Sequence, residues 1–149
     1  MTIEQVKTNK KQYLELLLLG DEQESMVDRY LEQGEMFVLK DPDVIAECVV
    51  VDLGNGTREV KNIAVVPEAQ GKGCGRKLLD FVWEHYTDCH TLLVGTGDSP
   101  LTVPFYQHCG FTEHHRVKNF FTDNYDHPIV EAGVQLVDMV YFAKTRRIL

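Results

Sequence analysis

The sequence has little positive charge for a chain of its size. Its 149 residues include 15 Lys and Arg against 23 Asp and Glu, which leaves a formal net charge of −8. A surface with that balance repels a phosphate backbone, so general nucleic-acid binding is excluded as a function class. With 44% apolar and 26% charged residues, the chain is instead typical of a globular protein.

Long apolar runs are also missing, and the first residues of the sequence show no pattern of a secretory signal. The run at residues 16–19 is far shorter than the roughly 20 residues that cross a membrane. Residues 1–11 do not combine a basic stretch with an apolar one, as a secretory signal requires. We therefore expect no membrane span and a cytoplasmic location.

Cysteine is scarce and forms no motif. The four cysteines, Cys48, Cys74, Cys89 and Cys109, show no C-x-x-C spacing, so we expect reduced thiols and not a disulfide framework. Neighbouring histidines add no metal-ligand spacing on a common face, and we expect no metal.

No repeat, low-complexity tract or linker interrupts the chain, so we expect one domain over residues 1–149. Apolar and polar residues alternate in a way that predicts strands at residues 2–6, 35–40, 44–53, 58–66, 91–95, 111–117 and 135–143. Helical spacing predicts a first helix ended by Gly20, a second at residues 21–33 ended by Gly34, a third starting near Gly73 or Cys74, and a fourth at residues 100–108. Residues 118–133 are expected to be irregular.

The most informative segment follows the strand at residues 58–66. It reads Gln70, Gly71, Lys72, Gly73, Cys74, Gly75, Arg76 and leads into an amphipathic helix. Alternate glycines let successive backbone N–H groups converge on an anion at a helix start, which is typical of a phosphate cradle. The spacing fits neither a dinucleotide fingerprint nor a P-loop. The alternative is a glycine-rich turn with solvated lysines.

Two ordered motifs resemble the GCN5-related N-acetyltransferase (GNAT) family. Val65-Val66-Pro67-Glu68-Ala69-Gln70 leads into the Gln-x-x-Gly-x-Gly loop of that family, and Phe105-Tyr106-Gln107-His108-Cys109-Gly110-Phe111 matches its Phe-Tyr-x-x-x-Gly-Phe block. The resemblance covers residues 59–111 well, and no motif after residue 117 contributes to it.

The resemblance implies an α/β fold with a mixed central sheet, flanked by helices, whose fourth and fifth strands splay apart to admit the pantetheine arm of acetyl-CoA. It implies that the Ile63 N–H faces the acetyl carbonyl and that Val65 backbone groups bind the pantetheine. The cofactor-binding residues implied by the resemblance are Ile63, Ala64, Val65, Gln70, Gly71, Lys72, Gly73, Cys74, Gly75, Arg76, Asp98 and Phe105.

Tyr106 stands where the family places a tyrosine beside the CoA sulfur. A phenol, with an ordinary pKa near 10, can protonate a departing thiolate, so the resemblance implies a general acid. The alternative is a core aromatic packed beside Phe105.

Glu59 lies eleven residues before Gln70, where the histone-acetyltransferase branch of the family carries its general base. We expect Glu59 and Ile63 to share a face of their strand, so that the carboxylate can accept the ammonium proton through water. The alternative is a solvated charge paired with Arg58 or Lys61.

Asp98 stands where the family often has an asparagine that touches the pantetheine. This is a departure from the pattern, and Asp98 either makes that contact or caps the next helix, with Ser99 as the alternative cap.

The sequence therefore predicts an N-acetyltransferase that moves acetyl from acetyl-CoA to a primary amine by direct attack in a ternary complex. The alternative is a non-catalytic acyl-CoA-binding regulatory domain of the same fold. Asp and Glu dominate residues 21–35, which favours a small cationic amine or a basic peptide end as the acceptor. The alternative is that these residues form only a solvated face.

The segment at residues 118–133 contains Phe120, Phe121 and Tyr125, which are costly to expose to water. We expect these aromatics to wall the acceptor pocket or to form a homodimer contact. The alternative is a loop that covers the sheet edge with its own side chains.

Overall fold

The computed structural model describes residues 1–147 of the chain. In that part the strands are β1 Thr2–Val6, β2 Glu35–Lys40, β3 Val44–Gly54, β4 Thr57–Val65, β5 Thr91–Gly97, β6 Thr112–Val117, β7 Val130–Glu131, β8 Val134–Gln135 and β9 Met139–Thr145. The helices are α1 Leu14–Gly20, α2 Glu24–Val27, α3 Cys74–His85, α4 Val103–His108 and α5 Phe120–Asn124.

Seven strands form one mixed sheet in the order β1-β2-β3-β4-β5-β9-β6, while β7 and β8 form a separate hairpin. β4 and β5 are the parallel neighbours in this sheet. They are paired at residues 57–60 and 91–94 and separate beyond those residues. The predicted mixed sheet with splayed fourth and fifth strands is confirmed.

Apolar side chains bury both faces of the sheet. On one face, Leu78 of α3 packs in a core with Phe37 and Phe142 of the sheet. On the other face, Leu17 of α1 and Val27 of α2 pack in a second core. These side chains are at most 1% exposed, and full burial of each contributes about 1.5–3 kcal/mol to stability.

A bulge in β4 changes which of its residues share a face. Consecutive residues of β3 pair with residues 60 and 62, which leaves Lys61 as an extra residue in the strand. Ile63 consequently packs towards the core beneath α3, whereas Glu59 lies on the face that α1 covers. The expectation that Glu59 and Ile63 share a face is wrong, because strict alternation is interrupted at Lys61.

The predicted second helix is much shorter than expected. α2 ends at Val27, and hydrogen-bonded turns continue to residue 34. The side-chain nitrogen of Lys10 donates to the carbonyls of Leu31, Glu32 and Gly34, at 2.9, 3.3 and 2.6 Å. The apolar stripe of this segment is buried as its periodicity predicts, but Lys10 and not a continued helix satisfies its last carbonyls.

Gly20 and Gly34 allow close packing against the sheet. They do not end their helices in the left-handed conformation that the sequence predicts. Neither residue has a positive φ, and Gly20 lies inside α1. A Cβ on Gly20 would lie 2.2 Å from the Asn62 Oδ1, and a Cβ on Gly34 would lie 2.7 Å from the Val49 Cγ1. Both glycines are therefore required by the contact between this region and the sheet.

The C-terminal part of the chain is more ordered than predicted. Residues 118–133 contain α5 and β7, and the last strand begins at Met139 and not at residue 135. Phe121, Ile129 and Leu136 form a small core of their own. The fourth helix begins at Val103, three residues later than expected.

The four cysteines are buried and unpaired, as expected. Across residues 1–147, none of the helices is both long enough and apolar enough to span a membrane.

Replacement of Lys10 tests its role as the donor that holds the segment after α2. Lys10→Met leaves three carbonyls without this donor and should lower the free energy of unfolding by about 1–3 kcal/mol, measured by urea denaturation. Lys11→Met is the matched control, because Lys11 is exposed and pairs with the side chains of Glu24 and Asp28. A loss for Lys10→Met no larger than for Lys11→Met would contradict the proposed role.

Candidate active site

A groove of about 640 Å3 runs between the gap in the sheet, the glycine-rich loop and α4. Its volume lies within the range of roughly 300–1,000 Å3 that is common for ligand sites. The lining contains Ile63, Ala64, Val65, Gln70, Gly71, Gly73, Cys74, Gly75, Arg76 and Phe105 of the predicted cofactor-binding residues. Lys72 and Asp98 lie outside this lining.

The glycines of the loop have two different roles. Gly71 and Gly73 adopt φ values of 77° and 83°, and a Cβ on either would meet no atom within 4 Å. Their backbone conformation therefore requires glycine, and the space in front of them is open. Gly75 instead allows close approach, since a Cβ there would lie 3.1 Å from the Phe105 Cζ.

The loop leads directly into α3, which begins at Cys74. The first N–H groups of a helix have no carbonyl partner within the helix, and its dipole favours an anion there. Arg76 lies in this first turn, mostly exposed, with its Nε 3.8 Å from an Asp80 carboxylate oxygen. Open backbone donors, a helix start and a guanidinium form a suitable site for phosphate groups. Cys74 is buried against the Ala69 carbonyl and acts as a filler.

The β4 backbone offers hydrogen-bonding groups to the gap between β4 and β5. The Val66 N–H donates to the Ile45 carbonyl at 2.9 Å, and antiparallel pairing directs alternate residues to the neighbouring strand. The backbone groups of Ile63 and Val65 therefore point away from β3, towards the gap, while those of Ala64 point to β3. Gln70 Nε2 already donates to the Val65 carbonyl at 3.0 Å.

Tyr106 of α4 is 5% exposed and lies among aromatic rings. Its ring centroid is 5.1 Å from that of Phe105, 6.0 Å from that of Phe111 and 6.1 Å from that of Phe142. Burial raises the pKa of the phenol, and the charges of Cys109 and Glu131 act in the same direction. Tyr106 is consequently protonated at neutral pH and can donate a proton.

A second cavity, of about 200 Å3, lies on the other side of the gap. Leu19, Ile63, Thr102 and Tyr106 line both this cavity and the groove, so the two meet at these residues. Phe121, Tyr125 and Ile129 form part of its wall. The aromatic segment at residues 118–133 therefore supplies part of the wall of this cavity.

The charged residues in the lining of the second cavity are Asp21, Glu22, Glu131 and Lys61. Glu24 and Asp28 pair with Lys11 instead. Only the first two acidic residues of the segment at 21–35 thus reach this cavity.

Two tyrosines hold the Asp21 carboxylate in place. Tyr30 donates to its Oδ2 at 3.0 Å, and Tyr125 donates to its Oδ1 at 2.6 Å. Asn62 Nδ2 in turn donates to the Tyr30 hydroxyl at 3.0 Å and to the Leu17 carbonyl at 3.0 Å. Burial raises the pKa of Asp21, and the two tyrosine hydrogen bonds oppose that shift. In the sequence, Asp21 is one member of an acidic run, and no spacing pattern points to its two tyrosine partners.

Glu59 is 7% exposed and lies in the part of β4 that is still paired with β5. Its Oε2 is 3.4 Å from the Lys61 Nζ. Burial raises its pKa, and Lys61 opposes the shift. Glu59 is not among the residues that line either cavity.

Glu47 is a second buried carboxyl on this face, opposite Ala64 of β4. It is fully buried, and its oxygens have no hydrogen-bond partner within residues 1–147. Burial raises its pKa well above the ordinary value, which favours the neutral acid.

Asp98 accepts a hydrogen bond from Arg116 of β6 at 2.9 Å. It does not cap α4, whose N-cap residue is Thr102. The Ser99 hydroxyl accepts from the Leu101 N–H before that helix begins. For the residues that the structure describes, no group of three or more His, Cys, Asp and Glu could hold a metal ion.

The sequence of this site matches a known family. The model of the acetyltransferase (GNAT) domain matches residues 32–113, more than half of the chain. The chain belongs to the GNAT acetyltransferase family. The uncharacterised N-acetyltransferase YvbK of Bacillus subtilis (strain 168) is 38% identical over 138 residues, which cover 90% of this chain and 88% of that protein.

Solved structures of GNAT acetyltransferases share the fold along nearly the whole chain. The IAA acetyltransferase from Bacillus cereus is 33% identical with a TM-score of 0.90, covering 97% of this chain and 99% of the other. A GNAT acetyltransferase from Elizabethkingia anophelis with acetyl-CoA bound is also 33% identical, with a TM-score of 0.90 and coverage of 97% of both chains. A Bacillus subtilis acetyltransferase in complex with CoA is 32% identical, with a TM-score of 0.89 and coverage of 97% and 98%.

This GNAT protein is therefore an acetyltransferase that uses acetyl-CoA as its acyl donor. The groove fits that donor, because it joins a phosphate-binding loop to a strand edge with outward backbone groups. These relatives are acetyltransferases, so they support a catalytic domain and not a regulatory domain without catalysis.

Replacement of Gly73 tests whether the loop holds the donor. Acetyl-CoA at about 100 times its dissociation constant should raise the free energy of unfolding by about 2.7 kcal/mol, which is measured as a melting shift. Gly73→Glu should abolish the shift, because a side chain and a negative charge enter the cradle. Gly54→Glu is the matched control, since Gly54 also has a positive φ and open space around its Cβ position. An unchanged shift in Gly73→Glu would show that the pyrophosphate binds elsewhere.

Proposed function

We propose that residues 1–149 form one catalytic domain that transfers acetyl from acetyl-CoA directly to the primary amine of a small cationic acceptor. The observation that carries this proposal is the meeting of two cavities at Leu19, Ile63, Thr102 and Tyr106. An amine in the second cavity can approach a thioester in the groove without a covalent enzyme intermediate. Buried Cys74 and Cys109 support direct attack, since neither is an exposed nucleophile.

In the proposed donor complex, backbone N–H groups of the loop and the Arg76 guanidinium bind the pyrophosphate. The Val65 N–H and the backbone groups of Ile63 hydrogen-bond to the pantetheine arm and the acetyl carbonyl. Their orientation towards the gap supports these roles. Lys72 contributes through its charge alone, and Asp98, engaged by Arg116, is left out of the donor contacts.

Tyr106 is the proposed general acid. The ammonium first loses one proton through water. As the C–N bond then forms and the C–S bond breaks, the Tyr106 hydroxyl gives its proton to the departing thiolate, and the second proton lost by the amine nitrogen restores the phenol. A raised pKa keeps the phenol protonated until that step. Its position in the lining of both cavities supports the role.

Tyr106→Phe should keep the affinity for acetyl-CoA and lower turnover by about 10²-fold, the scale of a lost general acid. The measurement is release of the CoA thiol, with the acetyl-CoA melting shift as a check on binding. Tyr86→Phe is the control, because this buried tyrosine donates to Glu35 and lines neither cavity. Unchanged turnover in Tyr106→Phe would reduce Tyr106 to a packing residue.

Glu59 is the proposed general base, acting through water because it lines neither cavity. A base acts in its deprotonated form, and the raised pKa of Glu59 means that its help is lost as pH falls through a value above the usual glutamate range. At high pH the amine is already neutral and needs no base. The rate increase that Glu59 provides should therefore be largest between the pKa of Glu59 and the pKa of the acceptor amine.

Glu59→Gln should lower kcat/KM by about 10²-fold within that pH window, and by less on either side of it. The measurement is the wild-type to variant ratio of kcat/KM across the pH range. Glu4→Gln is the control, since Glu4 of β1 pairs with Lys40 far from the site. A ratio that does not vary with pH would remove Glu59 as the base.

The acceptor class follows from the size and charge of the second cavity. Its volume of about 200 Å3 is below the roughly 300–1,000 Å3 of sites that enclose drug-sized ligands. Asp21, Glu22 and Glu131 outnumber Lys61 in its lining, so the local field attracts cations and repels carboxylates. A small cationic amine, or the basic end of a peptide, fits both properties.

The proposed reaction takes place in the cytoplasm, where unpaired thiols stay reduced. The homodimer suggested by the aromatic segment stays a prediction. Phe121 is 8% exposed and packs with Ile129 and Leu136, so this segment supports a cavity wall within one chain.

A further inference from the structure

The Asp21 carboxylate is oriented by contacts from two distant parts of the chain. Tyr30 follows α2 and Tyr125 follows α5, and each donates its hydroxyl hydrogen to a different oxygen of Asp21. Asn62 fixes the Tyr30 hydroxyl from β4. An ionised carboxylate offers about four acceptor positions, so the two phenols and a backbone hydrogen bond from Gln23 leave room for a further donor.

The negative charge of Asp21 has no ion-pair partner within residues 1–147. Lys61, whose charge acts on Asp21, forms its ion pair with Glu59 at 3.4 Å. Phenol hydroxyls are neutral donors, so they place no positive charge beside the Asp21 carboxylate. Partial burial solvates its ionised form poorly and raises its pKa. This is a costly arrangement for a structural residue and a suitable one for binding a cation.

The position of Asp21 separates it from the reacting atoms. It lines the second cavity but not the groove, whereas Tyr106 and Ile63 line both. Its neighbour Gly20 touches β4 at the gap, where a Cβ would lie 3.1 Å from the Ile63 carbonyl oxygen. Asp21 therefore lies close to the junction of the two cavities, on the acceptor side.

We propose that Asp21 binds the second, non-reacting ammonium group of a short diamine acceptor. The inference rests on the proposed function and narrows its acceptor class, since an amine with one positive charge would leave Asp21 unpaired during the reaction. It also gives Tyr30 and Tyr125 a function as positioning residues for this carboxylate.

The test compares three probes that differ only at the end remote from the reacting amine: 1,4-diaminobutane, butylamine and 4-aminobutanoate. Thiol release is measured at saturating acetyl-CoA, and kcat/KM is obtained for each probe. The wild-type enzyme should prefer the diamine to butylamine by about tenfold or more, as a charge-assisted hydrogen bond provides. 4-Aminobutanoate should be the poorest acceptor.

Asp21→Asn should bring the ratio of kcat/KM for diamine and butylamine close to one. The readout is a ratio from one enzyme sample, so a general loss of folding or of donor binding, which lowers both rates together, does not imitate this result. Asp28→Asn is the matched control, because it removes the same charge from an exposed carboxylate that pairs with Lys11. Tyr125→Phe should give an intermediate ratio.

A wild-type ratio in Asp21→Asn overturns the inference while the proposed acetyl transfer stands. An equal loss of selectivity in Asp28→Asn also overturns it, because a diffuse acidic field would then select the acceptor. No thiol release with any of the three probes, or a preference for 4-aminobutanoate, contradicts the proposed acceptor class and the inference with it.

Discussion

The separation of β4 from β5 beyond Val60 and Val94 produces the features on which the site depends. Strands that stayed paired would satisfy each other's backbone groups and leave no edge for a ligand. Because they part, the backbone of Ile63 and Val65 points into a gap that opens on both faces of the sheet. The groove and the second cavity meet in that gap, so one constraint brings donor, acceptor and Tyr106 together.

The second cavity also depends on contacts between segments that are remote in the chain. The hydroxyl of Tyr125 reaches Asp21 across 104 residues of sequence, and Arg29 donates to Asn124 in the same region. These hydrogen bonds join the C-terminal end of α5 to the segments on either side of α2. The wall of the cavity is therefore held both by these polar contacts and by the small apolar core of Phe121, Ile129 and Leu136.

Donor-side features were predictable because they are local. Positive φ values at Gly71 and Gly73 and the helix start at Cys74 follow from the order of residues in one loop. Most strands also follow from local alternation, with ends within a few residues of those observed, whereas the mixed sheet was implied by the resemblance to the GNAT family. The predicted length of the second helix was wrong. Lys10, distant in sequence, donates hydrogen bonds to the carbonyls that a longer helix would have used.

The sequence by itself determined the family, the donor loop and the candidate acid Tyr106, since each depends on residue types at short spacing. Only the tertiary structure decided which residues lie on the acceptor side of the site. One extra residue at Lys61 moved Glu59 to the other face, and close contact with the sheet, not helix termination, explains Gly20. The binding capacity of Asp21 depends on Tyr30, Asn62 and Tyr125, which no spacing in the sequence connects. Hydrogen bonds between distant elements form only after the backbone has brought them together, and local patterns carry no record of them.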